Sequence, residues 1–206
     1  YSDKVSTVSP RYAKEILTPE YGEGLELMFQ AHSYKLTGIL NGLDMAAFDP
    51  STDKYISKNY TSESVADKTV NKKALLEELG LPNGRKDMAA PLFGIVSRLA
   101  GQKGFDILGE AIDTLMKMDI RLAVLGIGDS RYEGMLRDAM KKNPSKIAAR
   151  FDFDIPLAQR IYAGSDFFLM PSKYEPCGLG QMIAMRYGTI PVVRSTGGLS
   201  DTVKQF

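Results

Sequence analysis

The sequence predicts an α/β protein built on a Rossmann-like parallel sheet with flanking helices. Two observations carry this. From Pro91 onward, short apolar runs alternate with amphipathic stretches, the pattern of buried parallel strands wrapped by helices. Of the 206 residues, 44% are apolar, enough to fill the core of one sizeable domain, or of one domain and part of another.

The elements follow in order. Residues 4–9 read as a short strand, 11–17 as a helix and 37–40 as another extended piece, and the first forty residues show no sheet of their own. Residues 50–69 are rich in Ser, Thr, Lys and Asp and read as a loop or exposed connection before a helix over 72–79. Strands are then expected at 92–96, 122–125, 149–153, 166–170 and 190–193. Leu108, Ala111, Ile112 and Leu115 recur at helical spacing inside a helix over 105–118, and Met135 and Met140 mark a second as core filler. Further helices are expected over 157–163, 179–187 and from Leu199 onward, and the strand-helix units should wind right-handed.

Composition narrows the function. With 26 basic and 25 acidic residues the net charge is +1, so no long-range field favours nucleic acid or an anionic membrane, and any phosphate site must be local. The single cysteine, Cys177, and the single histidine, His32, provide neither a disulfide framework nor a Cys/His zinc cluster, and a reducing cytoplasm fits best. His32 has no nucleophile pattern around it and reads as structural or surface. No apolar run approaches the roughly 20 residues that span a bilayer, and no signal peptide is evident. A chain beginning at Tyr1 without an initiator methionine reads as an excised piece.

In open α/β sheets ligands bind beyond the carboxyl ends of the strands. The first such end is Ser97-Arg98-Leu99-Ala100-Gly101-Gln102-Lys103-Gly104, where Arg98 offers a planar fork and Lys103 a flexible point charge. The pair suits two neighbouring phosphates or, alternatively, a solvated surface. The second is Gly126-Ile127-Gly128-Asp129, in which Arg131 stands where a dinucleotide fingerprint requires its third glycine, so a tight turn is the better reading. The third, Met170 through Gly180, carries Glu175-Pro176-Cys177-Gly178-Leu179-Gly180. Here the amides of Leu179 and Gly180 could hold an anion while Glu175 bonds sugar hydroxyls. The alternative is that Glu175 and Pro176 only shape the helix start. Cys177 is assigned at most a lining role. The last, Ser195-Thr196-Gly197-Gly198-Leu199, offers a capping threonine and exposed amides, with an ordinary cap as the default.

Taken in order, five segments resemble the bacterial glycogen synthases and plant starch synthases: Val8-Ser9-Pro10-Arg11-Tyr12-Ala13-Lys14-Glu15-Ile16, Leu40-Asn41-Gly42-Leu43-Asp44, Ser97-Arg98-Leu99 with Gln102-Lys103-Gly104, Pro171 through Leu179, and Thr196-Gly197-Gly198-Leu199. The resemblance implies the carboxy-terminal half of an enzyme with two Rossmann-like domains, the GT-B architecture. Such an enzyme transfers glucose from ADP-glucose to the non-reducing end of an α-1,4-glucan, with retention. On that basis residues 1–40 are the tail of a missing amino-terminal domain plus linker, and 41–206 form a nucleotide-sugar-binding domain short of its closing helices.

By the same resemblance, Arg98 and Lys103 bind the pyrophosphate and stabilise the departing ADP, without a metal or other cofactor. Glu175 positions the donor glucose. The amides of Leu179 and Gly180 share the grip on the pyrophosphate, Cys177 and Gly178 line the same pocket, and Thr196 and Gly197 also bind the donor. Asn41 reaches sugar or acceptor, and Phe153 stacks on adenine. Related transferases carry a second glutamate eight positions after the first; Ile183 stands there instead, which agrees with the synthases. The family's Lys-x-Gly-Gly-Leu loop is expected before residue 1, so the chain alone is expected to be nearly inactive. The competing readings are a noncatalytic nucleotide-sugar or glucan-binding module and a UDP-glucose-dependent transferase. A glucan phosphorylase lacks a lysine in a recognisable Schiff-base context.

Overall fold

The structure, a computed structural model, describes residues 2–205. Strands β1 (Val5–Thr7) and β2 (Leu36–Gly38) pair in parallel with Val5 opposite Leu36. The first forty residues therefore do contain a small sheet, contrary to expectation: three-residue strands are too short for a period of two to register, and their pairing is not local. Between them lie α1 (Pro10–Glu15) and α2 (Glu26–Ala31). Helix α1 starts where Ser9 Oγ accepts from the Tyr12 N–H at 2.8 Å and Pro10 supplies a preset φ.

The polar stretch after β2 is coil only as far as Ser64; a 3-10 turn over Val65–Asp67 then leads into a helix that begins at Lys68, four residues earlier than expected, and the coil is not uniformly exposed. Asp53, Ile56 and Tyr60 are buried under the later helices. Tyr187 Oη donates to Asp53 Oδ2 at 2.6 Å, and Tyr60 Oη donates to the Tyr187 carbonyl at 2.8 Å. Burial pushes the Tyr60 and Tyr187 phenols above their ordinary range. A few buried anchors spaced along a polar segment leave no periodic signal.

Helices α3 (Lys68–Glu78) and α4 (Arg85–Ala89) precede the main sheet. From there the order is β3 (Leu92–Val96), α5 (Phe105–Leu115), β4 (Arg121–Leu125), α6 (Ser130–Lys142), β5 (Ile147–Arg150), α7 (Ile155–Gly164), β6 (Phe167–Met170), α8 (Gly180–Arg186), β7 (Ile190–Val193) and α9 (Gly197–Thr202). All five strands run parallel in the spatial order β5-β4-β3-β6-β7.

The inner strand β4, between β5 and β3, is buried along its whole length, and its alternation decides the layers. Leu122 and Val124 pack with Leu108 and Ile112 of α5 and Leu136 of α6. Ala123 and Leu125 point the other way, onto Leu75 and Leu76 of α3 and Leu157 and Ile161 of α7. The third strand of the chain's main sheet lies two residues earlier than predicted, because Ile147 and Ala148 pair with Leu122 and Ala123. Asp154 then caps α7, its Oδ1 accepting from Leu157 at 2.8 Å, so Phe153 falls in a loop rather than in a strand.

Candidate functional site

Strand order places the site. From β3 the chain runs outward through β4 to β5, then returns to β6 and runs outward the other way to β7. The loops after β3 and β6 thus part from each other at the sheet's carboxyl edge and leave a crevice, where open α/β sheets bind ligands.

The two loops are also stitched together. The Lys173 N–H donates to the Gln102 carbonyl at 2.9 Å, and Gln102 Nε2 donates to the Tyr174 carbonyl at 3.2 Å. Gly104 sits at φ +78, and a Cβ there would strike the Pro171 carbonyl, so only glycine admits this approach. The turn after β4 is tied in as well: Leu99 donates to Ile127 at 3.0 Å and Asp129 donates back to Leu99 at 2.8 Å. Gly126 and Gly128 are needed for that close packing, since a Cβ on either would meet the backbone of Ser97 or Leu99. The tight-turn reading of this Gly-x-Gly is the one that fits.

The crevice is a cleft of about 310 Å³, within the range of small-molecule sites. Ser97, Arg98 and Lys103 line one wall; Ser172, Glu175 and the 178–180 turn line the other. Lys103 Nζ donates to Glu175 Oε2 at 2.5 Å, between an 8% exposed carboxylate and a 19% exposed lysine side chain. Ser172 Oγ donates to the same oxygen at 3.2 Å. Both contacts fall on Oε2, which leaves Oε1 uncommitted among the described residues. An ammonium has three donors and Glu175 takes one, so Lys103 can hold this carboxylate and an incoming anion together. Arg98 is exposed at the rim, its guanidinium donating to Gln102 Oε1 at 3.4 Å.

A second recess of about 210 Å³ adjoins the first and shares Val96, Ser97 and Arg98 with it. Its apolar walls come from Ile127, Phe153 and Ile155, and Phe153 is 79% exposed. An exposed aromatic ring beside an apolar recess and a cationic cleft suits a flat base joined to a phosphate.

The structure thus brings together Arg98, Lys103, Glu175, Gly178, Leu179 and Gly180, with Phe153 next door. It sets four other expected residues apart. Cys177 is buried and does not line the cleft; it packs behind the turn, where its backbone approaches Gly198 so closely that a Cβ on that glycine would collide with it. Thr196 and Gly197 are buried too, and the Gly197 amide expected to face a ligand donates instead to Glu15, at 3.0 and 3.1 Å to its two oxygens. Asn41 lies exposed in the coil after β2 and lines neither recess. Sequence reasoning missed Glu15 because a glutamate four residues after Arg11 reads as a solvent-facing helix pair. It missed Ser172 for want of any signal beyond its place in a motif. Among the described residues there is no group of His, Cys, Asp and Glu placed to hold a metal ion, and no helix long and apolar enough to cross a membrane.

This fold is that of a glycosyl transferase domain, and the family model for the group 1 glycosyl transferases matches residues 81–206. The chain belongs to that family. The model for the starch synthase catalytic domain matches residues 1–31. The chain is 54% identical over 202 residues to the glycogen synthase of Kosmotoga olearia, covering 98% of this chain and 42% of that protein. It is 52% identical over 206 residues to that of Thermotoga maritima, covering 100% of this chain and again 42% of the relative. The chain therefore spans less than half the length of these curated relatives. Among solved structures, the catalytic domain of starch synthase IV from Arabidopsis thaliana, bound to ADP and acarbose, superposes with a TM-score of 0.91 at 38% identity, over 100% of this chain and 42% of that one.

Proposed function

We propose that this chain forms the donor-binding half of a glycogen synthase, which transfers glucose from ADP-glucose to the non-reducing end of an α-1,4-glucan with retention. The observation that carries the reading is the Lys103–Glu175 pair that spans the switch-point cleft, a cation on one wall facing a carboxylate beside the 178–180 turn on the other. Identity above 50% to glycogen synthases supports the activity. The ADP in the starch synthase complex supports the nucleotide.

In this reading Lys103 and Arg98 neutralise the pyrophosphate as the bond from the sugar's anomeric carbon to the β-phosphate oxygen breaks. Positive side chains placed there supply the charge stabilisation, and no metal is invoked. The acceptor hydroxyl attacks from the same face, and its proton passes to the departing phosphate. Glu175 Oε1 accepts from glucose hydroxyls, and Phe153 stacks on adenine. The reading assigns the glucan to residues outside this chain, and places the enzyme in the cytoplasm, where a lone thiol persists.

The test titrates the enzyme, at the full length of its relatives, with ADP-glucose and UDP-glucose while glucan elongation is measured. Elongation from ADP-glucose, lost in Arg98→Ala, Lys103→Ala and Glu175→Ala, is expected. Preference for UDP-glucose would move the protein to another donor class, and binding without transfer would make it a recognition module. Undiminished transfer in all three variants would remove the site assignment.

A further inference from the structure

The start of α9 is met by a carboxylate from near the other end of the chain. Glu15 is buried at the last position of α1, and besides the two contacts to the Gly197 amide its Oε2 accepts from Thr196 Oγ1 at 3.3 Å. Its Oε1 accepts from Arg11 Nε at 3.1 Å. Further along α9, Asp201 Oδ2 accepts from Ser9 Oγ at 2.5 Å and from the Arg11 N–H at 2.9 Å. Helices α1 and α9 are therefore clamped at two points by charge-assisted bonds. The clamped turn touches the cleft wall from behind. The Gly198 N–H donates to the Glu175 carbonyl at 3.0 Å, and a Cβ on Gly197 would run into that same carbonyl.

We propose that Glu15 is a positioning residue for Glu175: it holds the 196–198 turn against the back of the 175–178 turn and so fixes the carboxylate that faces the donor sugar. This rests on the donor-site reading above. Glu15 lines neither recess, so its influence has to pass through the turn. Without it, the Gly197 amide and the Thr196 hydroxyl are buried with no partner, which costs more than the loss of an ordinary bond. Moving the turn outward to water relieves that cost, and the Glu175 backbone is bonded to the turn. The clamp also joins the two segments that match family models, since Glu15 lies within 1–31 and Glu175 within 81–206.

The test compares Glu15→Gln, Glu15→Ala, Glu175→Gln and the double variant Glu15→Ala/Glu175→Gln in the enzyme at the full length of its relatives. Glu15→Ala is expected to lower kcat by about tenfold while the Kd for ADP changes by less than about twofold, and the double variant is expected to be no slower than Glu175→Gln alone. Glu15→Gln keeps an acceptor for the amide and should recover part of the rate. Cys177, buried behind Gly198, reports on the turn independently of the donor. Its labelling by iodoacetamide, read by mass spectrometry, should rise by about tenfold in Glu15→Ala and stay unchanged in Glu175→Gln. Additive losses in the double variant, or unchanged labelling, overturn the proposal. So does a fall in ADP affinity that tracks melting temperature across the variants, the mark of general loosening. If Glu175→Gln transfers at the unsubstituted rate, the donor reading fails, and Cys177 labelling alone decides whether Glu15 holds the turn.

Discussion

The turns that follow β6 and β7 are built alike and used differently. Each ends a parallel strand, carries glycines and opens a short helix, α8 in one case and α9 in the other. After β6, Leu179 and Gly180 line an open cleft with Lys103 across from them. After β7, the Gly197 amide is taken by Glu15. Backbone amides at a helix start attract whatever anion the geometry offers. Among the described residues this chain supplies its own anion to the second turn and none to the first, so the same local chemistry is used for tertiary structure in one place and, in the function proposed above, for a ligand in the other.

The sharpest way to break this contrast is to remove the cation opposite the open turn. Lys103→Ala is expected to reduce transfer by about 10² to 10³-fold, the usual loss when one charge-stabilising donor leaves a reacting site. Steady-state kinetics with ADP-glucose would show it as a fall in kcat/KM. A loss of only a few-fold would mean that the turn after β6 is as structural as its neighbour. Next in size is Glu175→Gln, which keeps the shape but removes the charge that pairs with Lys103. A hydrogen bond to a charged group is worth about 1.5–3 kcal/mol, so transfer should fall by about 10 to 100-fold. ADP affinity, measured by calorimetry, should hold or rise, because Lys103 is released toward the phosphate.

How far the sequence reveals this contrast follows from what is local. The alternation of apolar runs showed the five strands of the main sheet, and the order of polar strand ends showed where Arg98, Lys103 and Glu175 would stand. What could not be read is whatever depends on a partner far along the chain. Glu15 and Gly197 are far apart in sequence and meet only because α1 packs on α9. The pairing of β1 with β2 and the burial of Tyr60 against Tyr187 escaped for the same reason. A helix-start glycine looks identical whether its amide faces a ligand or a buried carboxylate.

The closed turn can be tested through its glycine. Gly197 sits at φ +43, and a Cβ there would collide with the Glu175 carbonyl. Gly197→Ala is therefore expected to cost about 1–3 kcal/mol of stability, as left-handed strain and a backbone clash combine. Chemical denaturation measures this directly. An equal cost for Gly134→Ala, where a Cβ on helix α6 meets nothing, would show that the contact with Glu175 is not what matters.

The smallest effect is expected at Phe153, in the recess beside the open cleft. Its ring is largely exposed, so replacing it with alanine removes little from the core and should leave the melting temperature almost unchanged. If the ring stacks on adenine, its loss should weaken ADP binding by about three- to tenfold, the size of one aromatic contact at roughly 0.5–1.5 kcal/mol. Free phosphate and pyrophosphate, which never reach the recess, should bind the variant as before. That pairing makes Phe153 the finest probe of the open side: a change confined to nucleotides locates the base next to the cleft, whereas equal weakening of pyrophosphate would mean that Phe153 acts through Ser97 and Arg98, which the two recesses share.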